Sequence, residues 1–202
     1  MTTREYKYAV ALTGGIATGK STVSAIMSEL GLPLVDADTI AHEMLDMQSH
    51  RITEMFGEGL VKDHRVDRKA LGSIVFADET ARMRLEGLLH PLIKQEIDAQ
   101  ASMLDKLHKP YLIDIPLFYE RNAYPIDKVL VVYVPRQLQI SRLMARNSLS
   151  EAEALQRIHA QMDIEQKRDK ATYLLDNAAD MEHLAKECQR IHAKIIADFA
   201  EK

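Results

Sequence analysis

Gly14-Gly15-Ile16-Ala17-Thr18-Gly19-Lys20-Ser21 is the stretch on which the rest of the chain turns. It fits G-x-x-x-x-G-K-[ST], the pattern of a phosphate-binding loop. The motif directly follows an apolar run, Tyr8-Ala9-Val10-Ala11-Leu12. It directly precedes residues of helical period, Val23, Ile26, Met27 and Leu30. Both flanks are what the chemistry needs. Glycines let the backbone curl until its N–H groups face phosphate oxygens. The helix behind the loop aims its positive end at the same anion. Lys20 then reaches the β and γ phosphates, the Ser21 hydroxyl binds Mg²⁺, and Thr22 adds a donor near the α phosphate. A glycine-rich turn that merely precedes a helix is the competing reading, and the two flanks disfavour it.

Outward from the loop, short apolar runs alternate with helical patterns. The runs lie at 8–12, 34–35, 111–115, 129–134 and 173–175. The run at 129–134 is rich in β-branched residues and nearly all apolar, as in a strand buried on both faces. Helical faces are formed by Leu92, Ile93, Ile97, Leu104 and Leu107, and by Met181, Leu184, Cys188, Ile191, Ile195 and Phe199. Ser150 and Glu153 make a capping box for a helix reaching about Gln161. This alternation predicts a parallel α/β sheet. Between Asp38 and Pro110 no strand is legible, so that stretch reads as an inserted helical lobe. The polar stretch from Asn147 to Lys170 reads as mobile.

Candidate chemistry beyond the loop gathers at run ends. Asp36 and Asp38 follow the second run, where open α/β folds bind ligands. They could orient Mg²⁺ or take a proton from an attacking hydroxyl, or one of them could cap a helix starting near Thr39. Asp114 closes a weak Walker-B shape, with a metal role and a solvated strand end equally open, and Pro116 stops the strand. Arg142 and Arg146 share a helix face, and with Arg157 they surround the polar stretch. A closing lid with arginines would cover a transferring phosphoryl group and exclude water. Lys62, His64, Arg65, Arg68 and Lys69 form a basic cluster diluted by Asp63 and Asp67. It suits either an anionic co-substrate or local ion pairs. His90-Pro91 reads as a helix junction, with Pro91 in the first turn.

Composition narrows the partners. The chain has 202 residues, 26 Lys plus Arg against 30 Asp plus Glu, and a formal charge of −4. Such mild acidity argues against a dedicated nucleic-acid binder. No apolar run approaches the ~20 residues of a membrane helix. Residues 1–8 lack the apolar core of a secretory signal. A single cysteine, Cys188, excludes an intramolecular disulfide. The expectation is a cytoplasmic monomer or small homo-oligomer with neither nucleic-acid nor membrane partners.

Several of these elements together resemble one family, bacterial dephospho-coenzyme A kinase. The resemblance runs through Thr13 to Val23, Asp36-Ala37-Asp38-Thr39-Ile40-Ala41-His42, and Val66 to Leu71 with Val75-Phe76. It continues through Leu88-Leu89-His90-Pro91-Leu92-Ile93 and Asp114-Ile115-Pro116-Leu117 with Glu120. Arg142, Arg146, Arg157, Gln161 and Asp176-Asn177 complete it in collinear order. The resemblance implies a P-loop kinase fold, α/β, with a five-stranded parallel sheet flanked by helices. It implies a core at about 1–38, 110–146 and 171–202, a helical CoA-binding lobe at about 39–109, and a lid at about 147–170. The implied reaction uses Mg²⁺ with ATP to phosphorylate the ribose 3′-hydroxyl of dephospho-CoA, giving CoA and ADP, the last step of coenzyme A synthesis.

In that scheme residues 14–22 and Asn177 hold ATP, and Ser21 and Asp36 hold the metal. Asp38 takes the hydroxyl proton, and Arg146 and Arg142 close over the γ phosphate. Asp36, Asp38, Arg68, His90 and Pro116 serve the acceptor. The chain departs from the family where Ala17-Thr18 replaces the usual Gly-Ser, so nucleotide binding is expected to require Ala17 at negative φ. Phosphorylation of a nucleoside monophosphate or another small molecule is the alternative. A GTPase-like switch would call for Asn-Lys-x-Asp, which the sequence lacks.

Overall fold

The computed structural model describes residues 6–200. In chain order the elements begin with β1 (Ala9–Gly14), α1 (Lys20–Glu29), β2 (Leu34–Asp36), α2 (Ala37–Met47) and α3 (Ser49–Phe56). A short hairpin follows, β3 (Val61–Lys62) with β4 (Arg65–Val66), then α4 (Arg68–Ala77) and α5 (Glu79–Asp105). The chain continues through β5 (Tyr111–Asp114), α6 (Phe118–Arg121), β6 (Val129–Tyr133) and α7 (Arg136–Asn147). It closes with α8 (Glu151–His159), α9 (Ile164–Asp169), β7 (Tyr173–Asp176) and α10 (Met181–Ala200).

The five expected apolar runs are the five strands of one sheet, ordered β2-β5-β1-β6-β7. Strand β1 pairs in parallel with β5 on one side and β6 on the other, and β7 extends β6 in parallel. Val10, Leu12, Leu112, Ile113, Leu130, Val131 and Val132 are wholly buried. Burial on both faces explains why these strands read as continuous apolar text. The chain leaves β1 for β2 on one side of the sheet and reaches β6 on the other, so the phosphate loop sits at the switch point, where open α/β sheets hold ligands.

Contacts divide the chain into two compact units. One runs up to Val35 and resumes at Ala101, and the other is Asp36–Gln100. The second has a core of its own, built on Leu45, Ile52, Leu60, Val66, Leu71 and Leu89. Its helices start on local signals. Asp36 caps α2 through Asp38 N and Thr39 N, and Asp67 caps α4 through Lys69 N and Ala70 N.

Several expectations change here. The insertion is not purely helical, because Val61 pairs with Val66 and Lys62 with Arg65. The turn between them, Asp63 and His64, has φ of 50° and 61°. Two successive left-handed residues form the tight connection that matches strand twist, but without glycine it left no signal. Two-residue strands are also too short for a period to show. Pro91 does not begin a helix. It lies inside the 27-residue helix α5, where it removes the bond its N–H would give to Gly87. Leu107 lies beyond the end of α5 and is exposed.

The stretch 147–170 holds two helices. Ala154 and Ile158 pack with Ile140 and Leu143, and Lys167 is fully buried. Its capping box forms as read from Ser150 and Glu153, with the helix ending at His159. Hydrogen bonds from Ser150 hold the Glu153 carboxyl below the usual carboxylate range. The stripe on α10 is buried from Leu184 to Phe199, with Met181 exposed at its start.

Candidate active site

The loop leaves β1 and turns into α1 through Gly19, whose φ is 87°. Only glycine adopts that conformation freely, and a Cβ there would also collide with the Asn177 amide. No side chain among the described residues caps α1, so the N–H groups of Lys20 and Ser21 at its start face outward for an anion. Ala17 is not at negative φ. It sits at 62°, within the small left-handed region open to L-residues at a cost of roughly 1–2 kcal/mol. Alanine can enter this well, which unlike the glycine-specific regions is open to any L-residue.

Four side chains from distant parts of the chain tie down the loop backbone. Gln161 Oε1 accepts from Ile16 N at 2.8 Å. Gln139 Nε2 donates to Ile16 O at 2.7 Å, so both polar groups of Ile16 are held. Asn177 Nδ2 donates to Thr18 O at 2.8 Å. Lys167 Nζ donates to Gly14 O at 3.0 Å. Thr18 N and Thr22 N donate to Gly15 O and Gly19 O. The N–H groups of Ile16, Thr18 and Thr22 are thus engaged within the protein, and the Ser21 and Thr22 side chains stand at an exposed surface. Nothing local in the sequence marks Gln139 or Lys167. Each is a polar residue on an apolar helix face, Gln139 one turn before Leu143 and Lys167 one turn after Ile164, which is too common a placement to single out a loop contact.

Lys20 Nζ is ion-paired with Asp114 Oδ1. Asp114 is 5% exposed, so its carboxylate is held at the end of β5 and is no solvated strand end. The loop also packs sideways. Ile16 and Ala17 lie against the cluster of Ile140, Leu143, Ala154 and Ile158, which joins α7 to α8. Arg142 and Arg146 are carried by that α7 helix, Arg142 half-buried and Arg146 exposed with Nε donating to Asn147 Oδ1 at 2.9 Å. Arg157 is exposed on α8.

Within the insertion, Asp36 is a cap. Its Oδ1 accepts from Asp38 N and Thr39 N, and its Oδ2 from the Thr39 hydroxyl. Asp38 is exposed in the first turn of α2. Arg68 Nη2 meets Asp46 Oδ2 at 3.2 Å, and Asp46 also accepts from Val66 N. His90 is exposed on α5. A pocket of about 690 Å³ opens elsewhere in this unit, lined by Arg51, Met55, Arg84, Leu88, Pro91 and Leu92 among others. Arg68 and His90 are not part of its lining.

Among the described residues no three His, Cys, Asp or Glu side chains cluster as a metal site. Magnesium in phosphoryl transfer takes one or two protein oxygens and completes its shell with phosphates and water. The Ser21 hydroxyl and one carboxylate are a donor set of that kind. No helix among the described residues is long and apolar enough to cross a membrane.

A central strand running straight into a phosphate loop, in a sheet ordered this way, defines the chain as a P-loop kinase fold. Comparison narrows the class. The family model for dephospho-CoA kinase matches residues 8–183, and the chain belongs to that family. It is similar to the dephospho-CoA kinase of Sulfurimonas denitrificans, 47% identical over 98% of both chains. That of Wolinella succinogenes is 46% identical, over 95% of this chain and 96% of its own. Among solved structures, dephospho-CoA kinase from Campylobacter jejuni superposes with a TM-score of 0.74 at 36% identity, covering 96% of this chain and all of its own.

Proposed function

We infer that this chain transfers the γ-phosphoryl group of ATP to the ribose 3′-hydroxyl of dephospho-CoA, releasing ADP and CoA. Full-length likeness to dephospho-CoA kinases, with Lys20 and Ser21 in place on an uncapped helix N-terminus, carries the reading. The loop backbone and Lys20 hold the triphosphate, and Lys20 exchanges Asp114 for phosphate oxygens on binding. Asn177 acts from behind, by fixing Thr18 O. Ser21 and Asp114 would hold Mg²⁺, which would neutralise charge on the phosphate oxygens. Asp36, the other metal candidate, is engaged through both oxygens in shaping the first turn of α2.

Asp38 accepts the proton as the hydroxyl oxygen bonds to the γ phosphorus and the bond to the bridging oxygen breaks. A loose transition state with late proton transfer asks little of the accepting carboxylate. Arg142 and Arg146 neutralise the transferring group from the α7–α8 hairpin, which works as the lid. Arg68, His90 and Pro116 serve the acceptor, and the insertion pocket, with guanidinium groups beside an apolar wall, suits its anionic and aliphatic parts. One buried cysteine, with no second to pair with it, suits a reducing cytoplasmic setting.

Coupled ADP release with Mg-ATP tests the reading, with dephospho-CoA, AMP and adenosine offered separately. ADP release with dephospho-CoA alone, and CoA as product, is expected. Turnover confined to AMP would move the chain to the nucleoside monophosphate kinases.

A further inference from the structure

We propose that Lys167 is a positioning residue for phosphoryl transfer, fixing the start of the phosphate loop and the segment just after β5 through their carbonyls. Its side chain is wholly buried, and Nζ meets Glu120 Oε1 at 2.8 Å. The same ammonium donates to Gly14 O at 3.0 Å and Pro116 O at 3.4 Å. An ammonium has three protons, and each has an acceptor here.

The two carbonyls are what give the contact its meaning. Gly14 is the first residue of the loop that ends in Lys20. Pro116 lies two residues beyond Asp114, the partner of Lys20. Thr13 Oγ1 also donates to Pro116 O, at 3.0 Å. One buried cation therefore links both segments that present the reacting groups. Glu120 balances its charge and also accepts from Met162 N at 3.0 Å, so Lys167 acts by geometry and not through a net field. A buried ion pair is a weak source of stability, because desolvation offsets most of its attraction. Fixing two carbonyls in place is a job that an apolar side chain of the same length could not do.

The test compares K167M, K167R and the double variant K167M/E120Q, each measured ten degrees below its own melting temperature so that folded protein is read. ADP affinity by calorimetry is the first readout, and the separation of kcat from KM for ATP is the second. K167M and the double variant should bind ADP at least fivefold more weakly and lose at least tenfold in kcat/KM. K167R, which keeps the charge and its donors, should recover most of both. The double variant removes the unbalanced carboxylate, so it should melt nearer the wild type while its ADP affinity stays low. ADP affinity within twofold of wild type in either K167M variant would overturn the proposal. The proposal rests on the loop being the nucleotide site. Wild-type protein that bound no nucleotide would overturn that reading, whereas normal wild-type binding with unaltered variants would overturn only the role of Lys167.

Discussion

The phosphate loop and the insertion solve the same problem, satisfying exposed backbone groups, in opposite ways. Around the loop, side-chain ties come from 94 to 159 residues away, through Asp114, Gln139, Gln161, Lys167 and Asn177. In the insertion, Asp36, Asp67 and Asp78 each cap the backbone two and three residues ahead. A group tied by distant elements is ordered only when the whole unit is folded. A group tied by its own cap is ordered as soon as its helix forms. The nucleotide side is therefore a cooperative property of the sheet unit, and the insertion's carboxylates are set by local helix starts.

Substitutions can break or sharpen this contrast. The largest effect is expected at Lys20, the proposed triphosphate-binding lysine, where K20A should remove most turnover in the coupled assay. Next come the two aspartates. D38N should lower kcat by about a hundredfold or more with little change in either KM. D36N should leave kcat nearly unchanged, because asparagine caps as well as aspartate. Near-wild-type turnover in D38N would remove it from the role of base. For a long-range tie, Q161M leaves Ile16 N without its acceptor, a loss of about 1–3 kcal/mol, or roughly five- to a hundredfold in ADP affinity. An unchanged ADP affinity would show that the loop orders itself.

Smaller effects probe the loop backbone and the far helix. A17G should relieve left-handed strain of roughly 1–2 kcal/mol against about 0.5–1 kcal/mol of added chain entropy. The melting temperature should rise by roughly 1–3 °C, and a fall would mean that packing of the Ala17 methyl outweighs its strain. At Cys188, burial raises the thiol from 9.0 to about 11, with the Glu187 charge adding to it. A raised folded value stabilises the native state fully below the unfolded value, and that contribution is lost as pH rises through about 11. C188A should therefore show a smaller loss of melting temperature between pH 9 and 11 than the wild type.

How much could be read from the residues alone follows from the same contrast. The strands announced themselves because burial on both faces writes continuous apolar runs, as at 129–134. The motif at 14–21 and the capping box at Ser150 are local: the first lies between a strand and a helix as its flanks indicate, and the second formed as read. Lys167 and Gln139 were not legible, because a side chain that meets backbone more than 120 residues away leaves no pattern near itself. Pro91 misled for a different reason. A proline at a first turn and one inside a long helix look alike in sequence, and only packing along α5 separates them. At Asp36 and Asp38 the residues left helix capping and chemistry open to either carboxylate, and the bonds to Asp38 N and Thr39 N give the capping to Asp36.

Gln161 and Lys167 both reach back to the loop, one to Ile16 N and the other to Gly14 O, from opposite ends of a single seven-residue stretch. Their separation in the chain thus acts as a gauge. Adding or deleting one residue between them would rotate the last turn of α9 by about 100° and leave one tie unmade. An added residue near Ser148, before the capping box, keeps that gauge intact. Length variation should accordingly be tolerated better at the tip of the α7–α8 hairpin than at its foot, where it would cost the loop one of its two ties.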